Sequence, residues 1–172
     1  MTPAEAELES LYYAHRRSVL SAATLAAGGS THAGWDGVQH AFEQAWISLT
    51  DPSRPEVRDW RGWLRKAAVR HVVQTAQRDA RDLPLNDLDR QDDGPLLENR
   101  VALKREYQGI LEAIAALPVR QRQALALVCI AGHSTKDTAV IMDIEIPTVR
   151  SLVSQARRAL PENYGEEGCD EQ

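Results

Sequence analysis

The residues best suited to chemistry in this sequence are Thr148, Arg150, Ser151, Ser154, Gln155, Arg157 and Arg158, crowded into one short stretch. Their chemistry is recognition: hydroxyl and guanidinium groups donate hydrogen bonds to phosphate oxygens and base edges. Between them Val149, Val153, Ala156 and Leu160 recur at i, i+4, i+7 and i+11, which builds one buried stripe on a helix. A helix divided in this way can lay its polar side in a major groove while a partner helix crosses the backbone. The competing reading is an ordinary helix pair with a solvated polar face, and the turn between the helices lacks its usual glycine.

The elements that would hold these residues are legible from their punctuation. Ser134 is a good N-cap, because its hydroxyl can accept a hydrogen bond from a free amide of the first turn, and Asp137 is placed to support it. The spacing predicts a helix over Thr135–Met142, a turn through 143–145, and a restart near Ile146. Pro147 falls in the first turn of the second helix, where a missing amide costs nothing.

A second group lies earlier in the chain. In a helix expected over 56–79, Trp60, Leu64, Ala67 and Ala68 can share a face while Arg58, Arg61 and Arg65 line another, and Arg70, Arg78 and Arg81 extend the positive charge. Tryptophan among arginines suits single-stranded nucleic acid, since bases stack on aromatic faces while guanidinium groups hold phosphates. Trp60 and Trp63 are equally compatible with a role in the core.

The rest of the chain supplies helices and breaks. Residues 4–27 repeat Leu8, Leu11, Tyr12, His15, Val19, Ala22, Ala23 and Ala26 at helical spacing, and Gly28-Gly29-Ser30 ends the run. A second helix is expected over 35–49 with Val38, Phe42, Ala45, Trp46 and Leu49 inward. Asp51-Pro52-Ser53-Arg54-Pro55 is a loop, because prolines at that density break both kinds of regular structure. Residues 82–95 are acidic, carry Pro84, Gly94 and Pro95 and have no periodic apolar face, so they read as a linker. Helices over 97–116 and 119–131 follow, broken at Leu117-Pro118 and closed by Gly132. In the last of these, Leu125, Val128 and Cys129 turn inward. The fold class expected is all-α: two helical domains joined by an acidic linker, the second containing a helix-turn-helix.

Composition narrows the function. The net charge of −5 over 172 residues argues at first against nucleic acid. Its distribution reverses that: 82–99 and 161–172 each carry a net −5, whereas 1–81 carries +1 and 100–160 carries +4. Phosphate responds to the local field of the contacting face. Cys129 and Cys169 make neither a disulfide framework nor a zinc cluster, and the five histidines lack ligand spacing, so neither metal nor cofactor is expected. There is no apolar run of membrane-spanning length and no secretory pattern, which points to a cytoplasmic location. No glycine-rich phosphate loop or nucleophile–base pairing suggests an enzyme or a small-molecule substrate.

Beyond these readings the sequence resembles the extracytoplasmic-function (ECF) sigma factors, the two-domain sigma subunits of bacterial RNA polymerase. In the C-terminal half the resemblance rests on Leu117-Pro118, Arg120-Gln121-Arg122, Leu125, Leu127, Gly132-His133-Ser134, Ala139, Thr148-Val149-Arg150-Ser151 and Ala156-Arg157. In the N-terminal half it rests on Asp36, Val38-Gln39, Ala41-Phe42, Ala45-Trp46, Trp63-Leu64 and Ala68. Each motif is modest alone; their order along nearly the whole chain is the stronger signal.

The resemblance implies a domain over 1–81 that binds core polymerase and melts the −10 element, a linker over 82–96, a −35-reading domain over 97–161, and an acidic tail over 162–172. It implies that Asp36, Gln39, Phe42, Glu43 and Trp46 dock on polymerase, and that Trp60, Arg61, Trp63, Arg65 and Arg70 hold the unwound −10 strand. It implies that Lys136, Thr148, Arg150, Ser151, Ser154, Arg157 and Arg158 contact −35 DNA, Arg157 and Arg158 through phosphate. The partners implied are core polymerase, promoter DNA and an anti-sigma factor.

The chain departs from the family's pattern in several places. Gly34-Trp35-Asp36 stands where Ala-Glu-Asp is usual, and Arg70 and Gln74 replace an Asn and an Asp. Asp143, Glu145 and Pro147 replace a glycine, a serine and a glycine, while Leu152 and Gln155 stand at frequent arginine positions. Glu145 beside a phosphate-facing helix end should weaken DNA binding. A sigma-like regulator that does not initiate alone, and a helical protein adaptor, remain open alternatives.

Overall fold

The computed structural model describes residues 2–82 and 105–161. The expected linker beyond Asp82, which ends a helix, the expected tail, and the start of the helix expected over 97–116 lie outside the described residues. Among those described there is no strand, and the class is all-α.

Each N-terminal helix begins where a side chain satisfies its free amides. The first, α1 (Pro3–Ala26), opens on a reciprocal cap: Glu5 N donates to Thr2 Oγ1 at 3.2 Å and Thr2 N to Glu5 Oε2 at 2.6 Å. It ends at Gly28, whose φ of +70° is open to glycine at little cost. The second, α2 (Thr31–Thr50), starts four residues before the expected Trp35, because Ser30 caps it by accepting the Ala33 amide at 3.3 Å. Gly34 and Gly37 are therefore helix-interior residues, both buried. The third, α3 (Trp60–Asp82), starts four residues later than expected. The Asp59 carboxylate accepts the Gly62 amide at 3.0 Å, and this cap leaves Arg58 outside the helix.

The three helices pack on one another through Val19, Ala22, Ala23, Val38, Ala41, Phe42, Leu64, Ala68, Val69 and Val73. Spacing placed Phe42 and Trp46 of α2 together on the inward side. Phe42 is buried edge-on against Tyr12 at 5.2 Å, whereas Trp46 stays 37 % exposed on the outer shoulder.

The C-terminal half contains α4 (Arg105–Ala115), α5 (Val119–Leu125), α6 (Thr135–Met142) and α7 (Ile146–Ala159). The helix expected over 119–131 changes winding at Ala126. Residues 126–130 are π-helical, with Ala131 N donating to Ala126 O at 2.8 Å, five residues back. This widened turn carries Leu127 into full burial and leaves Val128 and Cys129 only half-buried. Gly132 closes the segment with φ +75°, as its position suggested.

The turn between α6 and α7 also matches the sequence reading. Ser134 Oγ accepts the Asp137 amide at 3.0 Å and donates to the Asp137 carboxylate at 2.8 Å. Asp143 takes the left-handed turn position with φ 54°. Replacing Ser134 with Ala should cost about 1 kcal/mol, the usual worth of a capping hydroxyl, measured by urea unfolding. Ser134→Asp, which keeps an acceptor, should recover most of that loss.

The two halves are not separate in space. One apolar cluster runs from Val19, Ala23, Leu64 and Ala68 into Ala124, Leu127, Ala131, Ala139 and Met142. Helices α1 and α3 contact the π-helical turn, and α3 also contacts α6. A smaller cluster of Ile114, Leu117, Leu125 and Ala156 ties α4 and α5 to α7.

Candidate nucleic-acid interface

The buried stripe of α7 fixes which of its side chains face water. Val149, Val153 and Ala156 are buried, as their spacing required. Thr148, Arg150, Ser151, Gln155 and Arg158 are exposed, and Ser154 is half-buried at the edge. A chain of amide and hydroxyl contacts braces this surface: Gln121 Nε2 donates to Gln155 Oε1 at 3.0 Å, and Gln155 Nε2 to Ser151 Oγ at 3.0 Å. Arg158 donates to Ser154 Oγ at 3.2 Å, which holds its guanidinium along the helix.

Arg150 and Lys136 remain extended into solvent on α7 and α6. Arg157 does not join them. It is half-buried and turned back over α5's π-helical extension, with its guanidinium 3.7 Å from Cys129 Sγ. The i+7 relation to Arg150 suggested a common face; the thiol and the packing around it draw Arg157 aside.

The second group forms around the start of α3. Trp60 and Trp63 are half-buried against the core and meet edge-to-face at 5.5 Å, so their role is mixed: one side packs, the other borders solvent. Arg61 and Arg70 are exposed and Arg65 is half-buried. A cleft runs between the 51–59 loop and α3, lined by Trp63, Arg54, Arg58 and Lys66 together with Glu56 and Asp59. The loop is tied in shape by Asp51, whose carboxylate accepts both the amide and the hydroxyl of Ser53 at 2.9 and 2.6 Å. Those two hydrogen bonds hold the Asp51 carboxyl below its ordinary pKa. Sequence reading found the tryptophans and arginines. It had no means to find the cleft, which exists only because the loop folds back toward α3.

On α2 a third surface emerges. Asp36, Gln39, Glu43 and Trp46 follow one another at helical spacing along an exposed stripe, with Trp35 beside it at 47 % exposure. Gln39 donates to Glu43 at 2.8 Å and His32 lies 3.7 Å from Asp36. Phe42, expected on this stripe, faces the opposite way and anchors α2 to α1. The stripe's inner edge holds a pair that sequence distance concealed: His40 of α2 and His71 of α3 stack with ring centroids 4.1 Å apart.

The surroundings of two histidines lower their imidazole pKa. Burial lowers the pKa of His71, with the His40 and Arg78 charges acting in the same direction and Asp36 and Glu43 opposing them. Burial also lowers that of His133, which faces Lys66 and Arg70; its contact with Lys66 O and the charge of Asp137 oppose the shift. A depressed imidazole pKa means that the unfolded chain binds more protons than the folded one. Stability is therefore complete above the ordinary value of 6.5 and declines as pH falls through it. Urea midpoints measured on either side of that value should differ, and the His71→Gln/His133→Gln double variant should show a flatter pH profile.

Among the described residues no helix is long and apolar enough to cross a membrane, and no group of metal-ligating side chains gathers.

Comparison with known proteins gives two findings. Residues 107–160 match the family described as Sigma-70, region 4. The solved structure of the sigma factor RpoE in complex with the anti-sigma factor NepR, from Bartonella quintana, is similar at 22 % identity with a TM-score of 0.54. That similarity covers 95 % of this chain and 98 % of that one, and it establishes a shared fold. No curated protein sequence matches the chain.

Proposed function

We propose that this chain, which carries a sigma-70 region 4 domain on the fold of a sigma factor, binds core RNA polymerase and directs promoter-specific transcription initiation. The observation that carries the proposal is the region 4 match over a helix-turn-helix whose second helix exposes Thr148, Arg150 and Ser151.

In this reading α7 enters the major groove of the −35 element. Arg150 supplies a bidentate donor suited to a guanine edge, while Lys136 and Arg158 hold phosphate. Arg157 positions α7 against the π-helical turn instead of touching DNA directly. The cleft beside α3 receives an unstacked base of the −10 strand, with Trp63 as its aromatic wall and Arg54, Arg58, Arg61 and Lys66 around the backbone. Arg65 and Arg70 extend that cationic surface. The α2 stripe of Asp36, Gln39, Glu43 and Trp46 docks on polymerase, and the protein acts in the cytoplasm through binding, without catalysis. The similar sigma factor was solved with an anti-sigma factor, and a regulator of that kind is the partner we assign to this chain.

Arg150→Ala should weaken binding to the preferred site by about 1–3 kcal/mol and relax the choice of base at one position, read by a selection from randomised duplexes. Equal loss on every sequence would make Arg150 a phosphate contact. Polymerase docking is tested separately, by titrating labelled chain with bacterial core enzyme. Saturable binding that weakens in Glu43→Lys supports the α2 assignment, and absence of binding contradicts it.

A further inference from the structure

The exposed face of α7 carries a hydrogen-bonded ladder that starts on another helix. Gln121, half-buried on α5, donates from Nε2 to Gln155 Oε1 at 3.0 Å, and Gln155 donates from Nε2 to Ser151 Oγ at 3.0 Å. Gln155 and Ser151 lie four residues apart on α7, whereas Gln121 comes thirty-four positions before Gln155 in the chain. Leu125 of α5 and Ala156 of α7 share one apolar cluster, so the two helices hold the ends of the ladder in a fixed relation.

Both hydrogen bonds run in the same direction. A glutamine amide presents an acceptor oxygen and a donor nitrogen on one plane, so engaging the oxygen decides where the nitrogen points. Gln121 occupies the oxygen of Gln155, which turns the nitrogen toward Ser151. The Ser151 oxygen therefore accepts within the ladder, and its own O–H is left to donate outward. Ser151 and Gln155 are exposed in the free chain, where water competes for them. Once α7 displaces water from a major groove, an O–H without an acceptor is costly, and its direction becomes a choice between bases.

We propose that Gln121 and Gln155 are positioning residues that commit Ser151 to the donor role, so that it reads a keto base, through guanine O6 or thymine O4. A serine hydroxyl alone suits either a groove acceptor or a groove donor. The ladder removes that freedom: a base amine, adenine N6 or cytosine N4, would leave the outward O–H unpaired. Gln121 acts only through Gln155. This role rests on α7 entering the −35 groove, as in the promoter-directing reading above.

Full chain assembled with bacterial core polymerase would select from duplexes randomised over the upstream element, and the bound pool would be sequenced. The wild type should favour keto over amino bases at one position by about two- to ten-fold, the worth of one hydrogen bond. Ser151→Ala should erase the preference at that position alone. Gln121→Glu is the decisive variant. Glutamate keeps the shape of glutamine but only accepts, so Gln155 must turn its nitrogen toward position 121 and its oxygen toward Ser151. Ser151 then donates to Gln155 and offers only lone pairs outward. The preference should change to an amino base by a similar factor. The added negative charge weakens binding to every sequence alike and does not imitate a change of base. The change should vanish in Gln121→Glu/Ser151→Ala, which a merely structural role for Gln121 would not require.

A keto preference that Gln121→Glu retains or merely erases overturns the relay, while the promoter-reading role of α7 stands. So does an amino preference in the wild type, or a selected sequence that Ser151→Ala leaves unaltered. A pool with no preferred upstream sequence contradicts the promoter-directing reading, and the donor role of Ser151 with it.

Discussion

Leu127→Ala should lower the unfolding free energy by about 2–5 kcal/mol, and the loss should register in the half of the protein that does not contain it. Leu127 is fully buried in the π-helical turn, within the cluster that also holds Val19, Leu64 and Ala68. Removing its isobutyl group leaves a cavity bordered by rigid helices, which limits relaxation. All four tryptophans lie at positions 35, 46, 60 and 63, in the N-terminal helices. If the core is shared, tryptophan fluorescence and far-ultraviolet circular dichroism should move together to lower urea. A tryptophan-detected transition that stays in place would show the halves unfolding independently. Val140→Ala is the control: this side chain is 75 % exposed, and its loss should change stability by less than about 0.5 kcal/mol.

Gly37→Val should destabilise the N-terminal helices by about 1–3 kcal/mol through overpacking. Gly37 sits where α2 passes between α1 and α3. A Cβ there would approach Val72 Cγ2 at 2.9 Å, and Ala23 Cβ and Ala68 O at 3.2 Å each. Two of these neighbours are side chains without freedom to swing away, and the third is backbone. Removing a glycine from a helix interior would ordinarily gain up to about 1 kcal/mol in propensity, so a net loss isolates the steric term. The measurement is again the urea midpoint. An unchanged or raised midpoint would mean that α2 can shift outward cheaply. Under the proposed docking role of Asp36 and Gln39, which flank this position on the exposed stripe, the same displacement should also weaken binding to core polymerase.

Much of this architecture is visible in local sequence because its causes are local. Ser134 and Thr2 announce their helices through hydroxyls next to free amides, and Gly28 and Gly132 end theirs by adopting positive φ. The stripe of Val149, Val153 and Ala156 correctly predicts which side of α7 faces water. What escaped reading depends on residues far apart in the chain. Trp46 and Phe42 share a periodic face, yet only the position of α1 decides that Phe42 is covered and Trp46 is not. Arg157 turns from the exposed face of α7 toward Cys129 and the π-helical turn, and no spacing rule encodes a change of winding at Ala126. The His40–His71 stack and the Arg81–Asp143 pair connect separate helices and are silent in any local window.

The acidic substitutions around the turn acquire a structural sense. Asp143 takes the left-handed backbone position suited to the glycine it replaces in the family pattern, and its carboxylate faces Arg81. Glu145 is the N-cap of α7 with no side-chain hydrogen bond to the helix, and it stands exposed at the helix's N-terminus. Under the proposed reading both residues place negative charge near DNA phosphate, which favours a reader that depends on polymerase to be held on its promoter.

The central claim, that this chain is a promoter-directing subunit, is tested most directly by run-off transcription. Purified full-length chain would be combined with bacterial core polymerase and a library of genomic fragments, and the transcript starts mapped. New start sites that share upstream sequence and disappear when Arg150 is replaced are expected. Stable binding to core polymerase with no transcripts above the core-alone background would contradict that claim.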